Sequence, residues 1–349
     1  MRSFFKRKSV RIGVSILAVS FVLWTFLWPL SDYIESPGSA DNLSAFVKIK
    51  NHPDRKKGAF MITSVRIAQA RPVSYLLAKV LPYHTIEDEQ SVTGGQSGAT
   101  YMRMQTFYMQ SAINEAKAVA AKAAGAKVDK KNLGIYVMAM QKQSKFNGRL
   151  KVGDTITKVD GHHFKNAFGF QRYIRAKKVG DKLRVNYQRG TKSGQVAAPL
   201  IRLSATKKAG IGISLTDNVK VTTQPQISVD PGQIGGPSGG LMFSLQIYSQ
   251  LTGQDIRHGR KIAGTGTINP DGSVGEIGGI DKKIVAANKA GATIFFAPYV
   301  KPTKALLALE EEHQTNYQLA KETAKKVAPK MKIVPVKTFK EALQYLKTH

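Results

Sequence analysis

An uncharged stretch from Ile12 to Leu30 (IGVSILAVSFVLWTFLWPL) follows directly on Arg2, Lys6, Arg7, Lys8 and Arg11. Coiled as a helix, those nineteen residues span ~28 Å, close to the hydrocarbon thickness of a bilayer. Trp24 and Trp28 fall toward the far end, where amphipathic rings favour the interface. A cleaved signal peptide needs small residues at its cut, and bulky Phe26, Leu27 and Trp28 occupy that place. The expectation is an uncleaved, single-pass signal anchor over residues 12–31. Residues 1–11 form its cytoplasmic basic tail, and everything after Asp32 lies extracytoplasmic, tethered to the lipid bilayer.

The rest of the chain is long enough to bury a sizeable core, with 42% hydrophobic residues among 349. Lys and Arg outnumber Asp and Glu by 53 to 23, for a net charge of +30. That field attracts polyanions, but the basic residues are spread along the chain and build no recognisable reading module, so nucleic acid is not the expected partner. Adaptation to an anionic envelope suits the pattern better. The absence of cysteine excludes disulfides, thiol nucleophiles and thiolate metal sites. His52 and His84 stand alone and His162-His163 follows a turn without further ligands, so neither metal nor cofactor is expected.

Three stretches follow the anchor. Residues 33–126 form an α+β region of short β-rich runs, a Gly/Ser break at Thr93–Gly98, and an alanine-rich helical pattern from Tyr101 to Ala124. The GGQSG segment lacks the GK[ST] ending of a phosphate loop. In residues 128–205, Leu133-Gly134-Ile135-Tyr136-Val137 precedes Gly148-Arg-Leu150-Lys-Val-Gly153-Asp154-Thr-Ile156-Thr-Lys-Val159-Asp160-Gly161. Two turn pairs bracket a short strand, and a helical segment (AFGFQRYIRAKK) and a strand (KLRVNYQ) complete the module. This spacing resembles a PDZ domain. The resemblance implies capture of an extended peptide at a sheet edge, with an apolar loop of Leu133, Gly134, Ile135 and Tyr136 seating its end.

Residues 206–349 carry the chemistry. In Asp230-Pro-Gly-Gln-Ile-Gly235-Gly236-Pro237-Ser238-Gly239-Gly240, glycines flank one serine and an apolar, helix-compatible run begins after it. A helix start offers backbone N–H groups and a positive dipole end to an oxyanion, although a serine after a Gly-Pro turn also serves as an ordinary N-cap. Downstream, Lys261–Ile268 and Ser273–Ile280 flank the turn Asn269-Pro-Asp-Gly272, suggesting a hairpin. Asp281 to Gly291 then reads as a helix with Lys282 and Lys283 in its first turn. A desolvated lysine there sheds its proton readily and activates a hydroxyl without any histidine.

Residues 229–291 resemble the proteolytic domain of the Lon family of Ser–Lys peptidases. With the anchor and the PDZ pattern, the chain is similar to membrane-anchored, PDZ-containing Lon-like serine proteases of Gram-positive bacteria. The resemblance implies Ser238 as nucleophile, Lys283 as base with Lys282 the competitor, and Thr265 as the residue orienting the lysine. It places Gly236, Pro237 and Gly239 in the oxyanion loop. Some Lon enzymes carry an acidic residue three positions before the serine, where this chain has Gly235. The chain has no G-x-x-x-x-G-K-[ST], so the expected activity is ATP-independent endopeptidase cleavage of accessible peptides or flexible protein segments. Assembly into a homo-oligomer is compatible with the resemblance.

Rival readings rest on weaker patterns. Gly236–Gly240 also fits G-x-S-x-G, with Asp271, Asp281 and His313 following, but no hydrophobic strand leads into it. Ser204-Ala-Thr-Lys207 matches S-x-x-K without the accompanying K-T-G or S-D-N. Glu310-Glu311-Glu312-His313 lacks the second histidine of a metalloprotease. An inactive, anchored peptide-binding adaptor is the non-enzymatic alternative.

Overall fold

The computed structural model describes residues 2–204, 206–308 and 313–349. Glu310–Glu312 of the metalloprotease-like string lie outside these residues. A helix at Arg2–Leu27 contains the apolar run as far as Leu27, leaving Trp28–Leu30 beyond its end, and its segment Val10–Leu27 is long and apolar enough to cross a membrane.

The main body is built on a six-stranded sheet in the order Lys332–Val336, Ile294–Pro298, Lys261–Gly264, Ala59–Gln69, Tyr33–Asn42, Thr85–Glu87. The first four run parallel to one another, and the Tyr33 strand pairs antiparallel on both its sides. Alternation at period two feeds two cores. Phe60, Ile62, Ile262 and Phe296 face one, while Ala59, Met61, Ala263 and Phe295 face the other. Helices Gly98–Ala123 and Gly240–Thr252 cover the first face, and helices Ile280–Lys289 and Asn316–Val327 the second. Layering helices on both faces is the standard way to bury such a sheet. The helix Gly240–Thr252 is buried along nearly its whole length, and its polar side chains are used internally, Ser244 donating to the Gly240 carbonyl and Gln246 to Asp54.

These pairings correct the sequential division. Residues 33–126 do not form a separate region, because Lys261–Gly264 pairs in register with Ala59–Ile62. The PDZ sheet does not end at residue 205 either. It has the order Ile213–Gln224, Lys127–Met140, Thr155–Val159, Lys182–Arg189, Lys192–Pro199, with its own core around Ile135, Val137, Phe146 and Leu183. Lys127 pairs with Gln224, so the chain leaves and re-enters the main body at one place. The PDZ module is thus an insertion between the helix Gly98–Ala123 and the strand Ile227–Val229, which pairs back onto Val47–Ile49.

Two further expectations shift. Ser97 in the Gly/Ser break caps the helix Gly98–Ala123, accepting from the Thr100 amide. The hairpin around Asn269–Gly272 shrinks to Thr267–Ile268 against Val274–Gly275, because Lys261–Gly264 is taken into the large sheet.

Candidate functional site

The two segments singled out for chemistry lie on opposite faces of the sheet and meet at the carboxyl end of the strand Lys261–Gly264. Ser238 stands two residues ahead of the helix Gly240–Thr252 on one face. Lys283 lies in the first turn of the helix Ile280–Lys289 on the other. Thr265, the residue after the strand, separates them and is fully buried. Lys283 Nζ is 3.0 Å from Ser238 Oγ and 3.2 Å from Thr265 Oγ1. The Thr265 hydroxyl donates to the Ser238 carbonyl at 3.1 Å, and the Gly266 amide donates to the same oxygen at 2.8 Å. One hydroxyl therefore holds the amine and the serine backbone together.

Close packing dictates the glycines around the serine. A Cβ at Gly239 would approach Ile62 Cδ1 to 2.4 Å, and one at Gly240 the Ile268 amide nitrogen to 2.8 Å. Gly240 thus needs its missing side chain to seat against the Ile268 backbone, while a Cβ at Gly239 would force the end of the Ile62 side chain aside.

The lysines separate cleanly. Both are buried, Lys282 at 3% and Lys283 at 4% exposure. Lys282 Nζ points to carboxylates, 3.5 Å from Asp281 and 3.9 Å from Glu35, and only Lys283 reaches the serine. His313 does not join a triad: its Nδ1 lies 2.9 Å from the Leu307 carbonyl. Asp271 accepts from Ser273, and hydrogen bonds from its hydroxyl and amide hold that carboxyl below the usual range.

A cleft of about 820 Å³ opens above Ser238 and Lys283. Glu35, Arg66, Tyr101, Gln105 and Glu276 line it, and none was singled out from sequence. Burial first, then electrostatic repulsion from Glu35 and Tyr33, push the Tyr101 phenol up. Gln105 accounts for Gly235: a Cβ there would come 2.8 Å from Gln105 Cβ, so an acidic side chain at this position would have to displace it. The cleft takes its carboxylates from Glu35 and Glu276 instead.

Residues 186–347 match the family model of the Lon protease (S16) C-terminal proteolytic domain, and residues 123–200 match that of the PDZ domain. The chain carries a Lon-type proteolytic domain. The match omits residues 33–122, whose strands share the six-stranded sheet with strands inside the matched segment. The Lon protease of Heliobacterium modesticaldum is 32% identical over 123 residues, which is 35% of this chain and 13% of that protein. Lon protease 1 of Bacillus subtilis is 31% identical over 132 residues, covering 37% of this chain and 15% of that protein. The chain thus spans only a small part of the curated relatives it matches. The PDZ domain of an SdrC-like protein from Listeria monocytogenes is 38% identical, covering 24% of this chain and 90% of that one, with a TM-score of 0.24.

The PDZ contacts need correction. Leu133, Gly134, Ile135 and Tyr136 form no loop; they lie inside the strand Lys127–Met140. Ile135 and Tyr136 pair with Asp217 and Thr216 on one side and with Ile156 and Thr155 on the other, so no edge is left there for a peptide. Tyr136 instead stacks on Phe107 of the helix Gly98–Ala123, with ring centroids 3.7 Å apart. The outer strand beside the helix Ala167–Arg175 is Ile213–Gln224, and a small groove between the two is lined by Phe170, Ile174, Gly212, Ile213 and Leu215.

The Thr265 bonds lead to a direct expectation. Thr265→Val keeps the shape but loses both contacts, and cleavage should fall about 10–100-fold through misplacement of the amine. Thr265→Ser should retain most activity. Steady-state peptide hydrolysis by the two variants checks this.

Proposed function

We propose that this chain is an ATP-independent, membrane-anchored serine endopeptidase with a Ser238–Lys283 dyad and an extracytoplasmic catalytic domain. The observation that carries the reading is the placement of Lys283 Nζ within 3.0 Å of Ser238 Oγ at the floor of an open cleft. In its neutral form the Lys283 amine accepts the serine proton as Oγ attacks the peptide carbonyl. The proton passes from Lys283 to the departing amine as the C–N bond breaks, leaving an acyl-enzyme. Lys283 then takes a proton from water, whose oxygen attacks the ester carbonyl, and Ser238 Oγ leaves with that proton.

The oxyanion donors are narrower than the sequence suggests. Gly236 N–H already donates to the Gln105 carbonyl at 2.9 Å, and Pro237 has no N–H. In the proposed mechanism the amide of Gly239, beside that of Ser238, faces the developing charge.

The PDZ domain selects or presents extended peptides, and the edge strand Ile213–Gln224 replaces Leu133–Tyr136 as the receiving element. Titrating the isotope-labelled protein with a peptide that the enzyme cleaves should move the amide signals of Ile211–Leu215. Shifts confined to Leu133–Tyr136 would reverse this assignment. Casein digestion by the protein in detergent, with and without ATP and with Ser238→Ala, tests the activity. Equal cleavage with and without nucleotide, absent in the variant, is expected; a strict ATP requirement or an active Ser238→Ala would overturn it.

A further inference from the structure

The segment leaving the active-site sheet carries an apolar surface that neither core absorbs. After the strand Ala59–Gln69 the chain turns at Ala70 into the helix Pro72–Ala78 and a short turn beyond it. Tyr75 and Ala78 pack inward with Ile34, Ala70, Leu30 and Ile86. On the outer side Leu76, Leu77, Val80 and Leu81 are 65%, 48%, 76% and 42% exposed. Four large apolar side chains within six residues are an expensive surface in water and mark a contact site.

Its place identifies the occupant. The Arg71 guanidinium donates to the Phe26 carbonyl at 2.6 Å, in the last turn of the apolar helix. Leu30 N–H donates to the Ala70 carbonyl at 2.8 Å, and Gln69 Nε2 donates to the Leu30 carbonyl at 3.0 Å. Trp24 and Trp28, the interfacial rings, lie in the same span of chain. The exposed leucines are therefore fastened to the point where the anchor leaves the hydrocarbon. Arg71 and Lys79 are exposed in the same segment and supply the positive charge that an anionic headgroup layer attracts.

We propose that residues 72–81 form a second membrane contact, lying in the outer interface with Leu76, Leu77, Val80 and Leu81 immersed among the lipids. This rests on the anchored reading above and adds to it. A single spanning helix tethers a domain but leaves it free to swing. A second contact fixes its tilt, and because Thr63–Ile67 of the preceding strand line the cleft, the cleft is held at a constant height and orientation above the bilayer.

The chain has no cysteine, so single cysteines can be labelled with the environment-sensitive fluorophore NBD in the full-length protein. Leu77→Cys and Val80→Cys report the proposed contact, Val19→Cys the anchor, and Lys192→Cys a distant exposed hairpin. The protein is reconstituted in vesicles of equal phosphatidylcholine and phosphatidylglycerol, with or without lipids brominated near the headgroup or deep in the chain. Blue-shifted emission and at least twofold quenching by shallow bromines are expected at 77 and 80, with deep quenching at 19 and neither at 192. Water-like emission at 77 and 80, with Val19→Cys still quenched, would overturn the second contact alone. So would blue-shifted emission there without lipid quenching, since protein rather than lipid would then cover the patch. Loss of quenching at 19 would overturn the anchor and the second contact together.

Discussion

Lys283→Ala should lower peptide cleavage by about 10⁴-fold or more while leaving the folded protein intact, since removing one member of a nucleophile–base pair costs nearly as much as removing both. Ser238→Ala should match it, and the double variant should be little worse. Lys283→Arg should be equally inactive, because a guanidinium does not deprotonate in proteins and cannot act as base. Lys282→Ala separates position from chemistry. Its ammonium lies near Asp281 and Glu35 rather than the serine, so the variant should unfold more easily yet keep a large share of its turnover. Full activity in Lys283→Ala with loss in Lys282→Ala would move the base by one residue. Single-turnover acylation by an activated ester reads the losses in activity, and thermal unfolding reads the stability of Lys282→Ala.

Arg257→Ala should be the most damaging substitution away from the dyad. Arg257 is 1% exposed, and it donates to both carboxylate oxygens of Asp54 and to the Lys56 carbonyl. Gln246, from the middle of the serine helix, donates to Asp54 as well. Removing the guanidinium strands a largely enclosed carboxylate, at a cost of about 3–5 kcal/mol, or a drop in Tm of roughly 10 °C for a domain of this size. Thermal unfolding of the two proteins at neutral pH measures it. Acid should reproduce part of the loss. Burial raises the Asp54 pKa, but the hydrogen bonds from Arg257 and Gln246 and the Arg257 charge outweigh it and hold the carboxyl below the usual carboxylate range. With the folded pKa depressed, the contribution is complete above the unfolded pKa and disappears as pH falls through the folded one. Wild-type Tm should therefore decline below about pH 4, and more steeply than that of Arg257→Ala.

The parts legible in the sequence were those whose determinants are local. Ser238 between paired glycines, Lys283 in a first helical turn and Thr265 after a short strand each carry their signal within a few residues, and the structure brings all three together. The turn pairs at Gly153-Asp154 and Asp160-Gly161 bracket a real strand, Thr155–Val159. What stayed hidden depends on partners far along the chain. Lys261–Gly264 is four residues long, too short for any periodicity to show, and its partner Ala59–Ile62 lies some two hundred positions earlier. Nothing local in residues 33–126 links them to residues 206–349, although they supply Glu35, Arg66, Tyr101 and Gln105 to the cleft. Leu133–Tyr136 was misplaced for a related reason. An apolar run with one glycine suits a loop or an inner strand equally well, and only the distant Ile213–Gln224 strand decides.

The interrupted layout also governs when the enzyme can become dangerous. As the polypeptide emerges, the PDZ module has all its strands once residue 224 is out and can close early. The cleft cannot, because one wall comes from residues 35–67 and the base from residue 283. Long-range pairing of this kind is slow and comes late. A chain that has folded only as far as the PDZ module therefore has no cleft, and Ser238 and Lys283 come together only when residues 35–67 and 261–283 pair into one sheet.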